Sequence, residues 1–491
     1  MKDIKEKGNF YITTPIFYPN AKLHMGHAYT TTLADSIVRF HRIYGDRTYF
    51  LTGADENTQK LDRAAKQAGE DTSAYLDEII SNFKSLFSNL SISYDQFIRT
   101  SDKKVHWPGA QKLWEHLEAS GDLKKRRYEG YYCVGHESFI TEKELVDGKC
   151  PDHKEKPELI SEENYFFTLS KYTDEIKKKI LSNEFHIVPD SRRNEVLSFL
   201  DQGVADVSFS RPKEKSPRGI PVPNDPSQII YVWCDALVNY ISALGYGRED
   251  TTLFQEFWPA DLHVIGKDIL RFHAVIWPGM LLSAGLPLPR KLLVHGFITA
   301  GGQKMSKTLG NVVNPEELIH KYGTDALRYV LLRHISPFED GDITQVSFHE
   351  YYEAHLVKGL GNLVSRILTM THKANISLEK GKIMEIKKSI ISGSAWEGYR
   401  KSFTTLDVRE SLNEIWKLIG RLDREIQEKK PFQEIKYNEA KAKPVLEFLI
   451  GELYRIGILL EPLLPETAEN IKALVLSNTP PDKALFPRLE L

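Results

Sequence analysis

Residues 9–53 read NFYITTPIFYPNAKLHMGHAYTTTLADSIVRFHRIYGDRTYFLTG. FYITT is a short β-rich run, and PIFYPNAKLHMG carries the proline and asparagine of a loop. From about His27 the apolar residues Leu33, Ile37, Phe40 and Tyr44 recur at i, i+4, i+7 and i+11, one face of a helix. Gly45 follows where a helix-ending glycine belongs, and RTYFLTG reads as the next strand. Strand, loop, helix, strand is the opening of a parallel α/β sheet. The order resumes late in the chain, where the apolar runs IIYVWCDAL, DLHVIG and KLLVHGFIT are separated by helix-like stretches.

Between these two parts, aromatic and charged segments with two Cys/His pairs replace the alternation, until the Pro- and Lys-rich RPKEKSPRGIPVPNDP. After about Phe348 strand signals stop. Leu412, Ile415, Ile419, Leu422 and Ile426 form one helical stripe and LEFLIGELYRIGILLEPLLP another, as in a bundle. The expected fold is α/β: a Rossmann-like doubly wound parallel sheet split by an inserted zinc-knuckle-type domain and followed by an α-helical bundle. The expected units are residues 1–117 (first half of the sheet), 118–218 (the insertion), 219–300 (second half), 301–348 (a basic loop and its support) and 349–491 (the helical domain).

At 491 residues the chain exceeds what one core can organise, which excludes a lone recognition module or a disulfide-stapled miniprotein. Its 65 Lys and Arg nearly cancel 67 Asp and Glu, so any nucleic-acid surface must be local. The helical end carries 22 basic against 19 acidic residues, too small a surplus to identify an RNA-binding domain. Three cysteines cannot build a disulfide framework and point to a reducing compartment. A cytoplasmic location follows, and no stretch is long and apolar enough to predict a membrane helix. A monomer is expected, since the chain ends after the helical domain.

Two short strings carry chemistry. His24-Met25-Gly26-His27 stands at the join of loop and first helix, where unpaired N–H groups favour a phosphate. Gly26 leaves room for a flat base there. Gly301-Gly302-Gln303-Lys304-Met305-Ser306-Lys307-Thr308 follows the strand HGFIT; its glycines suit a mobile loop and its two lysines a polyphosphate. Alone, the first pair could equally be structural histidines and the second a solvated loop. Together they would lie at one carboxyl edge of the sheet, where such folds bind ligands.

HMGH and KMSKT resemble the two signatures of class I aminoacyl-tRNA synthetases. TTPIFYPNAKLHMGHAYT, TGADENTQK, YVWCDALVNY, IGKDILRFH and HGFITAGGQKMSKTLGN resemble the methionyl-tRNA synthetase family in particular. Thr308 stands where that family usually has serine, and Leu237 where some members have proline. The resemblance implies ATP-dependent activation of L-methionine and transfer of the methionyl group to tRNA(Met), with Mg2+ on the departing pyrophosphate. It implies His24, His27, Lys304 and Lys307 as catalytic groups, with Gly26, Asp268 and Ser306 joining them around ATP. It implies Ile16, Tyr18, Trp233, Ala236, Leu237, Tyr240 and His273 as the methionine pocket, with Asp55 taking the ammonium. Read without it, Trp233, Leu237 and Tyr240 are core packing, and Asp268 could be a helix cap.

Cys133-x2-His136 and Cys150-x2-His153 have the spacing of a structural zinc site. The family has a similar knuckle, with His136 where cysteine is common; a knuckle without metal is the alternative. Asn362 and Arg366, four apart, resemble the family's anticodon-reading helix, with Phe432 in the place of a stacking tryptophan. Asp423 and Glu425 replace neutral residues usual nearby, and a solvated helix is the other reading of Asn362 and Arg366.

Overall fold

The computed structural model describes residues 8–133, 138–140, 142, 145–151, 154–215, 218–305 and 311–490. Strand β1 (Asn9–Phe17) lies at the centre of a six-stranded sheet and is almost wholly buried. On one side it pairs with β2 (Arg47–Ala54), which pairs with β3 (Gln96–Arg99); on the other stand Leu262–Gly266, Lys291–His295 and His186–Val188. All five pairings are parallel. Strand β1 runs past the expected loop boundary to Phe17. Pro15 has no N–H to give to the ladder, and the pairing with β2 shifts register between Thr13 and Ile16 to accommodate it.

Neighbouring residues on each strand enter opposite cores. Ile12, Phe50, Val264 and Leu293 pack into one, with helix α1 (Met25–Ile43), the helix Thr72–Asn89 and the C-terminal helices. Tyr11, Leu51, Ile265 and Leu292 pack into the other, with the helix Trp107–Ala119 and residues 232–246. The alternation follows from the pleat, and helices cover both faces. Leu33, Ile37 and Phe40 are buried as the periodicity requires, and Gly45 ends α1 with φ +91°.

Two expectations need correction. IIYVWCDAL is not one strand of the parallel sheet. Its first residues end the strand Asp225–Ile230, which pairs antiparallel with Ser210–Pro212 and Pro221–Val222, and Val232–Leu237 is a helix. A short continuous apolar run has no period by which to tell a buried strand from a buried helix. The stretch read as an insertion also divides. Leu123–Cys133 and Glu158–Phe167 form a long antiparallel ladder, with Ser138–Ile140 and Val207–Ser208 at its edges. His186–Val188, from the same stretch, instead adds the edge strand of the parallel sheet.

From Gln345 onward every regular element among the described residues is a helix. Leu412, Ile415, Ile419, Leu422 and Ile426 are all buried on Val408–Lys429, which packs against Glu439–Leu460. Among the described residues no helix is long and apolar enough to cross a membrane.

Candidate functional site

The site is assembled at the carboxyl ends of the parallel strands. His24 is the N-cap of α1: its Nδ1 accepts from the Gly26 N–H at 3.1 Å, and His27 Nδ1 accepts from the His24 N–H at 3.1 Å. A neutral imidazole that accepts at Nδ1 carries its proton on Nε2, so both rings are Nε2–H donors. Burial, with His24 and His295 nearby, lowers the His27 pKa well below the ordinary range. His27 is therefore a neutral donor. A Cβ on Gly26 would stand 2.9 Å from His24 Cε1. The glycine makes room for the folded-back His24 ring.

Phe17, the last residue of β1, stacks edge-on against His27 at 4.7 Å. At the end of the Lys291–His295 strand, His295 Nε2 lies 2.7 Å from the Thr30 hydroxyl of α1. Asp268 follows the Leu262–Gly266 strand in a 3-10 turn; a Cβ on Gly266 would meet its Oδ1 at 2.7 Å and His295 Cε1 at 3.7 Å. Asp268 thus shares the edge with the α1 N-terminus. Lys267 turns away to Asp340, at 2.7 and 2.8 Å.

Asp55 is buried just beyond β2, its N–H donating to Phe17 O at 3.0 Å, and half-buried Ile16 and Tyr18 flank it on the end of β1. The apolar residues lie together on elements tied to the Asp55 loop through Asn57 and Asp235. Trp233 stacks on Phe272 with centroids 3.6 Å apart, and Ala236 and Leu237 are buried on the same short helix. The Tyr240 hydroxyl donates to His273 Nε2 at 2.7 Å, while His273 Nδ1 donates to Ile269 O at 3.0 Å. Burial lowers the His273 pKa to about 4. His273 is therefore uncharged at neutral pH.

Gly301 and Gly302, with φ +64° and +73°, form a two-residue turn between Ile298–Ala300 and Gln303–Lys304. Both glycines are used for left-handed backbone, and the turn they make opens the expected loop, of which residues 306–310 lie outside the described residues. Asp342 clamps it, its Oδ1 accepting from the Gly302 N–H at 2.8 Å and the Thr299 hydroxyl at 2.7 Å. The Lys304 side chain, Ser306 and Lys307 lie outside the described residues.

The family model described as tRNA synthetases class I (M) matches residues 10–157 and 153–368. A methionine-tRNA ligase of Caldanaerobacter subterraneus is 43% identical over 471 residues, 95% of this chain and 73% of that one. Another, of Thermotoga maritima, is 39% identical over 485 residues, 96% and 76% of the two chains. The structure of Mycobacterium tuberculosis methionyl-tRNA synthetase in complex with methionyl-adenylate superposes with a TM-score of 0.89 at 35% identity, covering 98% of this chain and all of that one. The chain belongs to the methionine branch of the class I tRNA synthetases.

Further from the sheet edge, Cys133 and Cys150 are both buried in one small cluster with Ile140. His136 and His153 lie outside the described residues, so two of the four expected ligands are seen to converge. On the helical end, Asn362 is exposed and Arg366 half-buried on Asn362–Lys373, and Pro431–Tyr437 packs beside that helix with Phe432 exposed. Arg366 Nη1 donates to Asp423 Oδ1 at 2.9 Å. The acidic replacement at Asp423 is thus a direct partner of the residue read as a base contact.

Sequence reasoning passed over the residues beside the matched ones. Glu56 receives Arg99 Nε at 2.6 Å and the Ser101 hydroxyl, and Asn57 Nδ2 donates to Asp235 Oδ2 at 2.8 Å. Their signal was present in TGADENTQK and YVWCDALVNY as polar residues inside apolar runs.

Proposed function

We propose that the chain joins L-methionine to ATP, giving methionyl-adenylate and pyrophosphate, and passes the methionyl group to the 3′ terminal adenosine of tRNA(Met). The observation that carries this reading is the pairing of buried Asp55 with an uncharged aromatic wall, on the same sheet edge as the two-histidine N-terminus of α1. An amino acid with an ammonium and a neutral, polarisable side chain fits between them. A buried carboxylate compensates the ammonium for its lost hydration, and the rings of Trp233 and Tyr240 suit a thioether.

In this reading the methionine carboxylate oxygen attacks the ATP α-phosphorus and the bond to pyrophosphate breaks. The chemistry needs positioning and charge stabilisation more than a covalent nucleophile. His24 and His27 donate Nε2–H to phosphate oxygens beside Gly26, Asp268 meets the nucleotide ribose, and Lys304 and Lys307 with Ser306 close on the departing charge. Among the described residues no three His, Cys, Asp or Glu side chains form a metal cluster. We propose that Mg2+ arrives with ATP and would supply positive charge to the departing pyrophosphate beside Lys304 and Lys307.

Cys133, His136, Cys150 and His153 are proposed to hold a structural Zn2+; the burial of both cysteines in one cluster supports this donor set. Asn362, Arg366 and Phe432 are proposed to read the anticodon through hydrogen bonds and stacking. A single chain supplies every group named, which supports a working monomer, and low cysteine usage supports the cytoplasm.

The test is exchange of labelled pyrophosphate into ATP, run with each amino acid in turn. Methionine alone should support rapid exchange. Exchange driven equally by leucine, isoleucine or valine, or by none, would overturn the reading.

A further inference from the structure

Behind Asp55 runs a buried polar chain that joins the two walls of the pocket. Asn57 stands two residues after Asp55. Its Nδ2 donates to Thr100 O at 3.1 Å and to Asp235 Oδ2 at 2.8 Å. The other carboxylate oxygen of Asp235 accepts from His106 Nε2 at 2.5 Å, and His106 Nδ1 lies 2.8 Å from the Ser242 hydroxyl. The His106 and Asp235 side chains have no exposure to solvent, and Asn57 and Ser242 are buried as well.

These links are saturated. Both amide hydrogens of Asn57, both oxygens of Asp235 and both ring nitrogens of His106 have partners. They tie together three pieces of chain: the loop after β2 that carries Asp55, the N-cap of the helix Trp107–Ala119, and the helix Val232–Leu237 that carries Trp233, Ala236 and Leu237. Glu56, between Asp55 and Asn57, is held from the other side by Arg99 and Ser101. The loop is therefore pinned on both flanks, and Asp235 sits among the wall residues it fixes.

Such a chain is a poor choice if stability is all that is required. A buried charged group bonded to polar partners is commonly matched or bettered by well-packed apolar residues of similar volume. What it provides is one discrete arrangement, because any shift leaves a buried polar group unpaired. We infer that Asn57, Asp235 and His106 are positioning residues that set the gap between Asp55 and the Trp233–Leu237 wall, and so the length of side chain the pocket admits. The inference rests on the reading of this pocket as the amino-acid site.

The test uses the full chain and the variants Asn57→Ala, His106→Ala and His106→Gln, with folding checked by circular dichroism and thermal melting. Pyrophosphate exchange gives KM for methionine, KM for ATP and the kcat/KM ratio of methionine to the longer ethionine and the shorter 2-aminobutyrate. Misplacement by about 1 Å costs on the order of 100-fold, so Asn57→Ala and His106→Ala should raise the methionine KM by ~10- to 100-fold and leave the ATP KM within about threefold. Both should also narrow discrimination against the two analogues. Glutamine places an N–H donor where His106 Nε2 stands, so His106→Gln should recover most of the methionine affinity lost in His106→Ala.

An equal rise in both KM values, or an unchanged analogue ratio in variants with lowered melting temperature, would reduce the chain to a structural role and overturn the inference. Failure of the wild type to exchange with methionine would instead overturn the function on which it rests.

Discussion

The ion pair of Asp35 and Arg328 joins α1 to the helical end of the molecule, and Arg328→Met should loosen that joint severely. Both side chains are fully buried, with Arg328 Nη1 and Asp35 Oδ2 2.8 Å apart. Asp35 also accepts from Arg39 Nε at 2.7 Å, the Ser93 N–H at 2.7 Å and the Ser93 hydroxyl at 2.6 Å. Arg328 donates further to Leu90 O at 3.0 Å, Leu463 O at 2.8 Å and Pro462 O at 3.4 Å. Leu90 closes the helix Thr72–Asn89, and Pro462 and Leu463 lie just beyond the helix Glu439–Leu460. One guanidinium therefore satisfies carbonyls at two helix ends, where intrahelical donors run out, and supplies one of the four donors to a buried carboxylate.

Methionine keeps the apolar stem and removes every donor. Breaking a buried pair from one side costs about 3–5 kcal/mol, and Arg39 and Ser93, which remain on Asp35, hold the expected loss within that range. Urea unfolding, followed by both circular dichroism and tryptophan fluorescence so that coincident transitions can be verified, reads the loss. In a double-mutant cycle with Asp35→Asn, the two changes should couple by roughly 2 kcal/mol. Burial opposes ionisation of Asp35, but Arg328, Arg39 and the Ser93 bonds outweigh it and hold the carboxyl below its usual range. The stability it contributes is present above the ordinary carboxylate pKa and is lost as pH falls through the lowered folded value, so the gap between wild type and variant should close in acid. A loss under ~1 kcal/mol at neutral pH, with additive single changes, would refute the reasoning.

Asp325 behaves oppositely: burial raises its pKa to about 6, so its contribution is present below the ordinary carboxylate range and is lost as pH rises through 6. Asp325→Asn keeps an acceptor for the Thr467 N–H and should be the more stable protein at pH 7.5, by up to roughly 3 kcal/mol, with a flatter pH profile between 4 and 6; a less stable variant would contradict this. Asp55→Asn should raise the methionine KM far more than the ATP KM in pyrophosphate exchange, since an ammonium would be buried without its carboxylate. The Arg366–Asp423 pair is half-exposed and worth about 0.2–1 kcal/mol, so Asp423→Asn should tighten binding of an anticodon stem-loop by up to ~5-fold and Arg366→Ala should weaken it; weaker binding of Asp423→Asn in an anisotropy titration would make Asp423 an organiser of Arg366 instead. Elemental analysis should find about one zinc per chain, and chelation should lower the melting temperature, whereas a metal-free chain that melts unchanged would leave Cys133 and Cys150 as ordinary core residues.

What the sequence made legible was periodicity and spacing. Leu33, Ile37 and Phe40 announced a helix, and the same arithmetic found the stripe from Leu412 to Ile426, because each such face must be buried by a partner element. The runs that failed were those without a period: IIYVWCDAL passes from an edge strand into a helix while remaining apolar throughout, and His186–Val188 is too short to announce the strand it adds to the sheet. The site followed the same division. His24 and His27 drew notice because they stand at a helix N-terminus, which suits an anion, and Asp55 only through the family resemblance. Asn57, Asp235, His106, Asp35 and Arg328 drew none, because each gets its meaning from a partner 43 to 293 residues away, a distance no local pattern encodes. A polar residue inside an apolar run is the one trace such pairs leave. In a folded chain it must find a partner or neutralise, so each instance states that another element lies against it without naming which.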